Sequence, residues 1–212
     1  MRVLVFDTET IPDLVMAHRV WGIDAEAPDA YQKAFEMRLE ETERKSEFMK
    51  PAFHRVVAVG MVGMDLDKRS VSVVRSSGPN EAEHLRQFHL MLAGNPVLVT
   101  WNGLAFDLAV LRYRALYHGL PLPLLYCAAL RNYDRYDYRF GEKHFDLMDV
   151  LSGFGRSAGL KLSEMAALCD IPCKQEGSGA LVLERFLAGD HEANANYVEE
   201  DARATARIFL RW

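Results

Sequence analysis

Residues 1–13 read MRVLVFDTETIPD, and the abrupt change inside this stretch decides the fold class. Val3–Phe6 form an apolar run, rich in β-branched residues, that is too short for a helix and suits a buried strand. The run passes straight into Asp7, Thr8 and Glu9. Side chains two apart on a strand point the same way, so Asp7 and Glu9 share one side at its C-terminal end. Like charges side by side are costly, and a divalent cation with hard oxygen ligands is the simplest group to offset them. An exposed turn with a helix cap would account for the same residues.

Outward from this strand, residues 25–50 are highly charged, with Tyr31, Phe35 and Leu39 at helical spacing, and read as an inserted surface helix. HRVVAVGMVGMD and SVSVVRSS read as two strands of an antiparallel hairpin joined by the polar DLDKR turn. A helix follows in GPNEAEHLRQFHLMLAG, capped by Asn80 and stopped at Gly94. PVLVTWNG is a second short buried strand, and LAFDLAVLRYRALYHG a helix closing on Gly119. A short strand is expected at HFDLM, then helices in KLSEMAALCD, GALVLERFLAG and NANYVEEDARATARIFLRW. The pattern is that of an α/β fold, a central mixed β-sheet flanked by α-helices, in one domain over residues 1–212 with an insertion at about 25–50.

The 212 residues are 50% hydrophobic and 26% charged, the composition of an ordinary folded chain. No apolar run approaches the roughly 18–20 residues of a membrane span, and four apolar residues before Asp7 are too few for a signal peptide, so a cytoplasmic location is expected. Cys127, Cys169 and Cys173 have neither C-x-x-C spacing nor an even count and read as reduced structural thiols. A net charge of −5 argues against a broad nucleic-acid-coating surface, but is compatible with gripping a few nucleotides.

Two further sites combine with Asp7 and Glu9. In VLVTWNGLAFDLAV, Trp101-Asn102-Gly103 leaves the second strand and Asp107 opens the next helix, where it could also serve the helix dipole. Ligands of parallel α/β arrangements gather beyond the C-terminal ends of strands, which could bring this turn beside the first. Gly103 would admit a close backbone approach. In NYVEEDARATARIF, Tyr197 and Asp201 are four apart and share a helix face, while Glu199 and Glu200 are assigned to solvent. LVFDTET also has a superficial likeness to the D-x-D-x-T of haloacid-dehalogenase-type phosphatases. That chemistry wants Asp where Glu9 stands and has no use for the other two motifs.

FDTE, NGLAFD and YVEED together resemble the three exonuclease motifs of the DEDD superfamily of 3′→5′ exonucleases, in the subgroup with Tyr four residues before the last Asp. FHRVVAVG, KHFDLMDVL and IPCKQEGSGALV further resemble the predicted exonucleases related to the proofreading domain of family B DNA polymerases. Cys173 departs from that pattern, which has Gly after the Pro. The resemblance implies a ribonuclease H-like fold and a metal-dependent exonuclease that releases nucleoside 5′-monophosphates from 3′ ends of single-stranded DNA or RNA. It implies that Asp7, Glu9, Asp107 and Asp201 hold two Mg²⁺ or Mn²⁺ ions and that Tyr197 orients the attacking water. A binding module that has lost catalysis is the alternative, which the presence of all five residues does not favour.

Thr10 and Asn102 are candidate substrate contacts, and Trp101 or Phe106 could stack on a base or serve the core. The segment RNYDRYDYRFGEKH interleaves Arg131, Arg135, Arg139 and Lys143 with aromatic residues, with Arg135 and Arg139 as candidates for a single-strand path; its acids equally suit a solvated structural segment. His144 and Asp146 are read as strand-end hydrogen-bonding groups, and Asp149 as a cap or supporting group.

Overall fold

The computed structural model describes residues 1–121, 131–173 and 179–212. Cys127 and much of the 171–180 loop lie outside them. Five strands form one mixed sheet in the order β3-β2-β1-β4-β5. β1 (Arg2–Pro12) pairs antiparallel with β2 (His54–Asp65), which pairs antiparallel with β3 (Ser70–Ser77) across a loop at 66–69. On its other side β1 runs parallel to β4 (Val97–Thr100), and β4 parallel to β5 (His144–Asp146). The expected α/β architecture is present, and the hairpin lies where its turn residues placed it.

The two faces of β1 seed two cores, as strand alternation demands. Leu4 and Phe6 pack with Leu85, Phe88, Leu108 and Leu111, from α3 (Glu81–Met91) and α4 (Asp107–Tyr117). Val3 and Val5 pack on the other face with Ala202, Ala206 and Ile208 of the long helix α8 (His191–Arg211). The third motif therefore lies on the same side of the sheet as Asp7 and Glu9.

Residues 13–53 differ from the single helix expected. They form α1 (Leu14–Trp21), capped by the Asp13 side chain, and α2 (Ala30–Glu41), with a small core of their own around Ala17, Ala30, Ala34, Met49 and Phe53. On α2 the small Ala30 and Ala34 are fully buried, and the partly buried Phe35 and Tyr31 pack beside them, Phe35 on the insertion's core and Tyr31 on a cluster around Ile11, Val57 and Val182. A buried ionic network ties this insertion to the main sheet. Arg114 donates to both Glu81 carboxylate oxygens, at 2.8 and 2.5 Å, and to Asp13, while Glu81 also accepts from the Val56 N–H at 2.7 Å. Each charge has a partner, without which burial would be prohibitive. Among the described residues the remaining α-helices are the short α5 (Leu147–Leu151), α6 (Leu162–Leu168) and α7 (Gly179–Leu187).

Candidate active site

Asp7 and Glu9 lie within β1 rather than at its end, because the antiparallel pairing with β2 carries the strand on to Pro12. They project on the face that α8 covers, and Asp201 meets them from that helix. One carboxylate oxygen from each of the three lies within 4.8 Å of the others. The approach depends on β2, where Gly60 stands opposite Asp7. A Cβ at Gly60 would lie 2.5 Å from the Val198 carbonyl oxygen and 2.9 Å from the Glu199 nitrogen. Only glycine lets the α8 backbone sit this low on the sheet, which lowers Tyr197 and Asp201 toward the β1 carboxylates.

Asp107 arrives from the opposite layer, at the first turn of α4. Its Oδ1 accepts from the Thr8 N–H at 3.1 Å and from the Thr8 hydroxyl at 2.5 Å. Thr8 points to the α4 side while its neighbours Asp7 and Glu9 point to the α8 side, so this short strand segment joins all four carboxylates. The turn leading to Asp107 is held by Asp146, whose carboxylate accepts the Asn102 N–H at 2.8 Å and the Leu104 N–H at 3.0 Å. Asp146 thus has the strand-end hydrogen-bonding role. Asn102 takes the left-handed conformation, φ 63°, which asparagine tolerates better than most residues. Gly103 serves packing: a Cβ there would lie 2.6 Å from the Thr100 side chain.

The electrostatics of the cluster are unbalanced. Burial, and then the charges of Asp107, Glu9 and Asp201, hold the Asp7 carboxyl well above the usual carboxylate range. Glu9 is raised likewise by burial and by Asp201 and Asp107, against a lowering influence from Arg185. Asp107 is pushed up to about 6 by burial, in spite of its hydrogen bonds from Thr8. Tyr197 is raised by burial and by Asp201, Glu9 and Asp7, so its phenol keeps its proton at neutral pH. Four acids, Asp107 buried and Asp7, Glu9 and Asp201 half-buried, form a hard-oxygen donor set whose chemistry fits Mg²⁺ or Mn²⁺.

Cys173, the departure from the family pattern, touches the cluster: its thiol lies 3.9 Å from Asp201 Oδ1. Burial and the neighbouring Asp201 and Glu200 charges push it up to about 11, so it remains a neutral thiol donating toward the carboxylate. Glu199 is not simply a solvated residue. It is largely buried and pairs with Arg203 at 2.7 Å and Arg75 at 3.4 Å, which fasten α8 internally and to β3. Glu200 is also partly buried.

The candidate substrate contacts separate into two groups. Thr10 and Phe106 flank the acids: the Thr10 hydroxyl pairs with His54 Nδ1 at 2.8 Å, and the Phe106 ring meets His54 edge-on at 4.9 Å. Trp101 instead packs in the α8-side core with its indole N–H donating to the Leu160 carbonyl at 3.2 Å, a structural placement. In the basic-aromatic segment Tyr136 is fully buried, Arg135 forks onto Asp137 and Arg139 onto Asp149 at 2.7–2.8 Å. These guanidinia would have to exchange carboxylate for phosphate to line a strand path. Asp149 is therefore an ion-pair partner.

Sequence reading missed Arg185, whose guanidinium lies 5.8 Å from the Tyr197 ring centroid and whose charge is felt by Glu9. Nothing in GALVLERFLAG marks it, because an arginine on an amphipathic helix is ordinarily a solvated one.

A mixed five-stranded sheet with carboxylates gathered along the second half of β1, at the start of α4 and on α8 defines a ribonuclease H-like α/β protein with an acidic site. Residues 46–212 match the model of the predicted 3′-5′ exonucleases related to the exonuclease domain of PolB, and the chain belongs to that family. The family B DNA polymerase of the hyperthermophilic archaeon Pyrobaculum calidifontis matches all of this chain at 19% identity with a TM-score of 0.64. This chain spans 24% of that polymerase's length. E. coli Exonuclease I, solved in complex with a dA16 oligonucleotide, matches 98% of this chain and 39% of its own at 11% identity, with a TM-score of 0.48. No curated protein sequence matches. No helix among the described residues is long and apolar enough to cross a membrane.

Proposed function

We propose that the protein is a divalent-cation-dependent 3′→5′ exonuclease that removes nucleoside 5′-monophosphates from single-stranded DNA or RNA. The observation that carries this reading is the convergence of the half-buried Asp7, Glu9 and Asp201 oxygens, with Asp107 beside them, in a site whose like charges call for a cationic partner. These four residues would hold two ions. When bound, the ions supply Lewis-acid stabilisation for in-line displacement at the terminal phosphodiester. Tyr197, protonated at neutral pH, orients the attacking water by hydrogen bonding rather than taking its proton. Thr8 keeps Asp107 facing the site, and Asp146 holds the turn that delivers it. Thr10, Asn102 and Phe106 contact the terminal nucleotide.

The test is incubation with 5′-labelled single-stranded DNA and RNA in Mg²⁺, Mn²⁺ or EDTA. A cation-dependent ladder shortening from the 3′ end is the expected result, and intact oligonucleotide in every condition would sink the reading.

The same charges make stability depend on pH and cation. The folded-state pKa values of Asp7, Glu9 and Asp107 lie above their ordinary values, so the folded chain holds extra protons through that window. The cluster's contribution without cation is therefore most favourable near pH 4 and declines as pH rises through about 6 and beyond. Cation binding needs the ionised forms and offsets the repulsion. The rise in unfolding temperature on adding Mn²⁺ should accordingly be small at pH 5 and grow toward pH 7.5. A rise that is flat with pH would refute this account of the site.

A further inference from the structure

Phe48 is 59% exposed, yet its surroundings hold it in place. Its carbonyl accepts from Arg38 Nε at 2.8 Å, and its N–H donates to Ser46 Oγ at 3.1 Å. The adjacent Met49 is buried in the insertion's own core. The chain is thus pinned on both sides of a phenyl ring that faces solvent. That ring lies 5.4 Å from the Phe106 ring and 5.5 Å from the His54 ring, centroid to centroid, and His54 and Phe106 meet edge-on.

This aromatic trio is joined to the acidic site at two points. Phe106 immediately precedes Asp107, and His54 binds the hydroxyl of Thr10, the residue after Glu9. His54 is itself fixed by its second nitrogen, which lies 3.3 Å from the Met49 carbonyl. Since a carbonyl only accepts, Nε2 carries the proton and Nδ1 accepts from the Thr10 hydroxyl. His54 therefore locks the insertion, through Met49, to the strand that bears the carboxylates.

We infer that Phe48 is a base-stacking residue contributed by the insertion, forming with Phe106 an aromatic seat for a nucleobase at the 3′ end of the substrate strand. The inference rests on the exonuclease reading, which places the terminal phosphodiester at the carboxylates beside this seat. A flat π-face recognises any base, so the seat would be indifferent to sequence. Its pinned backbone means that little conformational freedom is lost when a base docks, the condition under which an exposed aromatic gives most affinity. His54 is a positioning residue in this scheme.

The test compares wild type, Phe48→Ala and Phe48→Trp on two 5′-labelled oligonucleotides, one ending in an ordinary nucleoside and one in an abasic residue. Phe48→Ala should raise KM on the ordinary end by roughly ten-fold, as loss of one stacked base does, with kcat changing much less. Phe48→Trp should restore KM. On the abasic end the Phe48→Ala and wild-type proteins should have equal KM. The unfolding temperature of Phe48→Ala should fall by no more than a few degrees, because the ring, though in contact with Phe106 and His54, is 59% exposed. An unchanged KM on the ordinary end, or an equal KM increase on both ends, overturns the proposal.

A second readout separates this inference from the reading beneath it. An oligonucleotide ending in 2-aminopurine, bound in EDTA, should have its fluorescence quenched by wild type and less by Phe48→Ala. Quenching without cleavage in any cation would leave the seat standing and sink the exonuclease. Cleavage with identical fluorescence for the two proteins would do the reverse, and neither quenching nor cleavage would sink both.

Discussion

Asp7→Asn should move activity and stability in opposite directions. On the proposed function, hydrolysis should fall roughly a thousand-fold or more, because the substitution would remove an anionic ligand from a site where bound cations would contribute several kcal/mol of charge stabilisation. Without cation near pH 7, the unfolding temperature should instead rise by a few degrees, about what 1 kcal/mol does for a chain of this size. The reason is local: Asp7 lies half-buried beside Glu9, Asp107 and Asp201, and its ionisation is opposed by all of them. Asn has the same shape and can still accept the neighbouring backbone N–H, so repulsion is removed without opening a cavity. The stabilisation should vanish below pH 4, where the wild-type acid is also neutral. Retained hydrolysis would remove Asp7 from the site. A lower unfolding temperature at pH 7 would show that the carboxylate has a stabilising partner rather than a surplus of like charge.

Gly60→Ala should be nearly as damaging although residue 60 has no chemistry of its own. The added methyl would overlap the Val198 carbonyl and Glu199 nitrogen, which are helix backbone and cannot swing aside as a side chain would. α8 must lift by a fraction of an ångström to an ångström, carrying Tyr197 and Asp201 away from Asp7 and Glu9. A displacement of about 1 Å at a catalytic group costs on the order of a hundred-fold in rate. Overpacking of this kind also lowers stability by about 1–3 kcal/mol. The diagnostic result is a weakened Mn²⁺-induced rise in unfolding temperature, since misplaced ligands bind the cation poorly. A variant that binds Mn²⁺ and turns over like wild type would show that the sheet and helix adjust freely at this contact.

These two positions illustrate different degrees of legibility. Asp7 announces itself, because carboxylates at the end of an apolar run have no place in a core without a partner. Gly60, inside VVAVGMVGMD, reads as one more strand residue; its importance lies in a helix almost 140 positions later in the chain. The Asn80 cap, the hairpin and the helix ends at Gly94 and Gly119 were legible for the first reason, being local conformational choices that a few neighbouring residues settle. α1 has a local N-cap signal in Asp13, but its eight residues depend otherwise on packing against α2 and Phe53 and on the Arg114 network, which are not local patterns. Glu199 reads as a solvent residue because charged residues usually go there, and its half-buried position is compensated by Arg203 on its own helix and by Arg75 from β3, the latter invisible in the sequence. The roles of Arg185 and Phe48 depend on which surfaces the fold brings to the acids.

By itself the sequence determined the class of fold and the identity of the acids. Strand alternation and helical periodicity are properties of short segments and settle the fold class, while Asp7, Glu9, Asp107, Tyr197 and Asp201 are singled out by the resemblance of FDTE, NGLAFD and YVEED to exonuclease motifs. The tertiary structure alone decided how those segments meet: that Thr8 holds Asp107 from the opposite layer, that Asp146 holds the turn before it, and that the insertion presents Phe48 beside Phe106. Such contacts join residues from 44 to 99 positions apart. They are set by how closely backbones can approach and by which buried polar groups must find partners, quantities that come into existence only when the chain has packed.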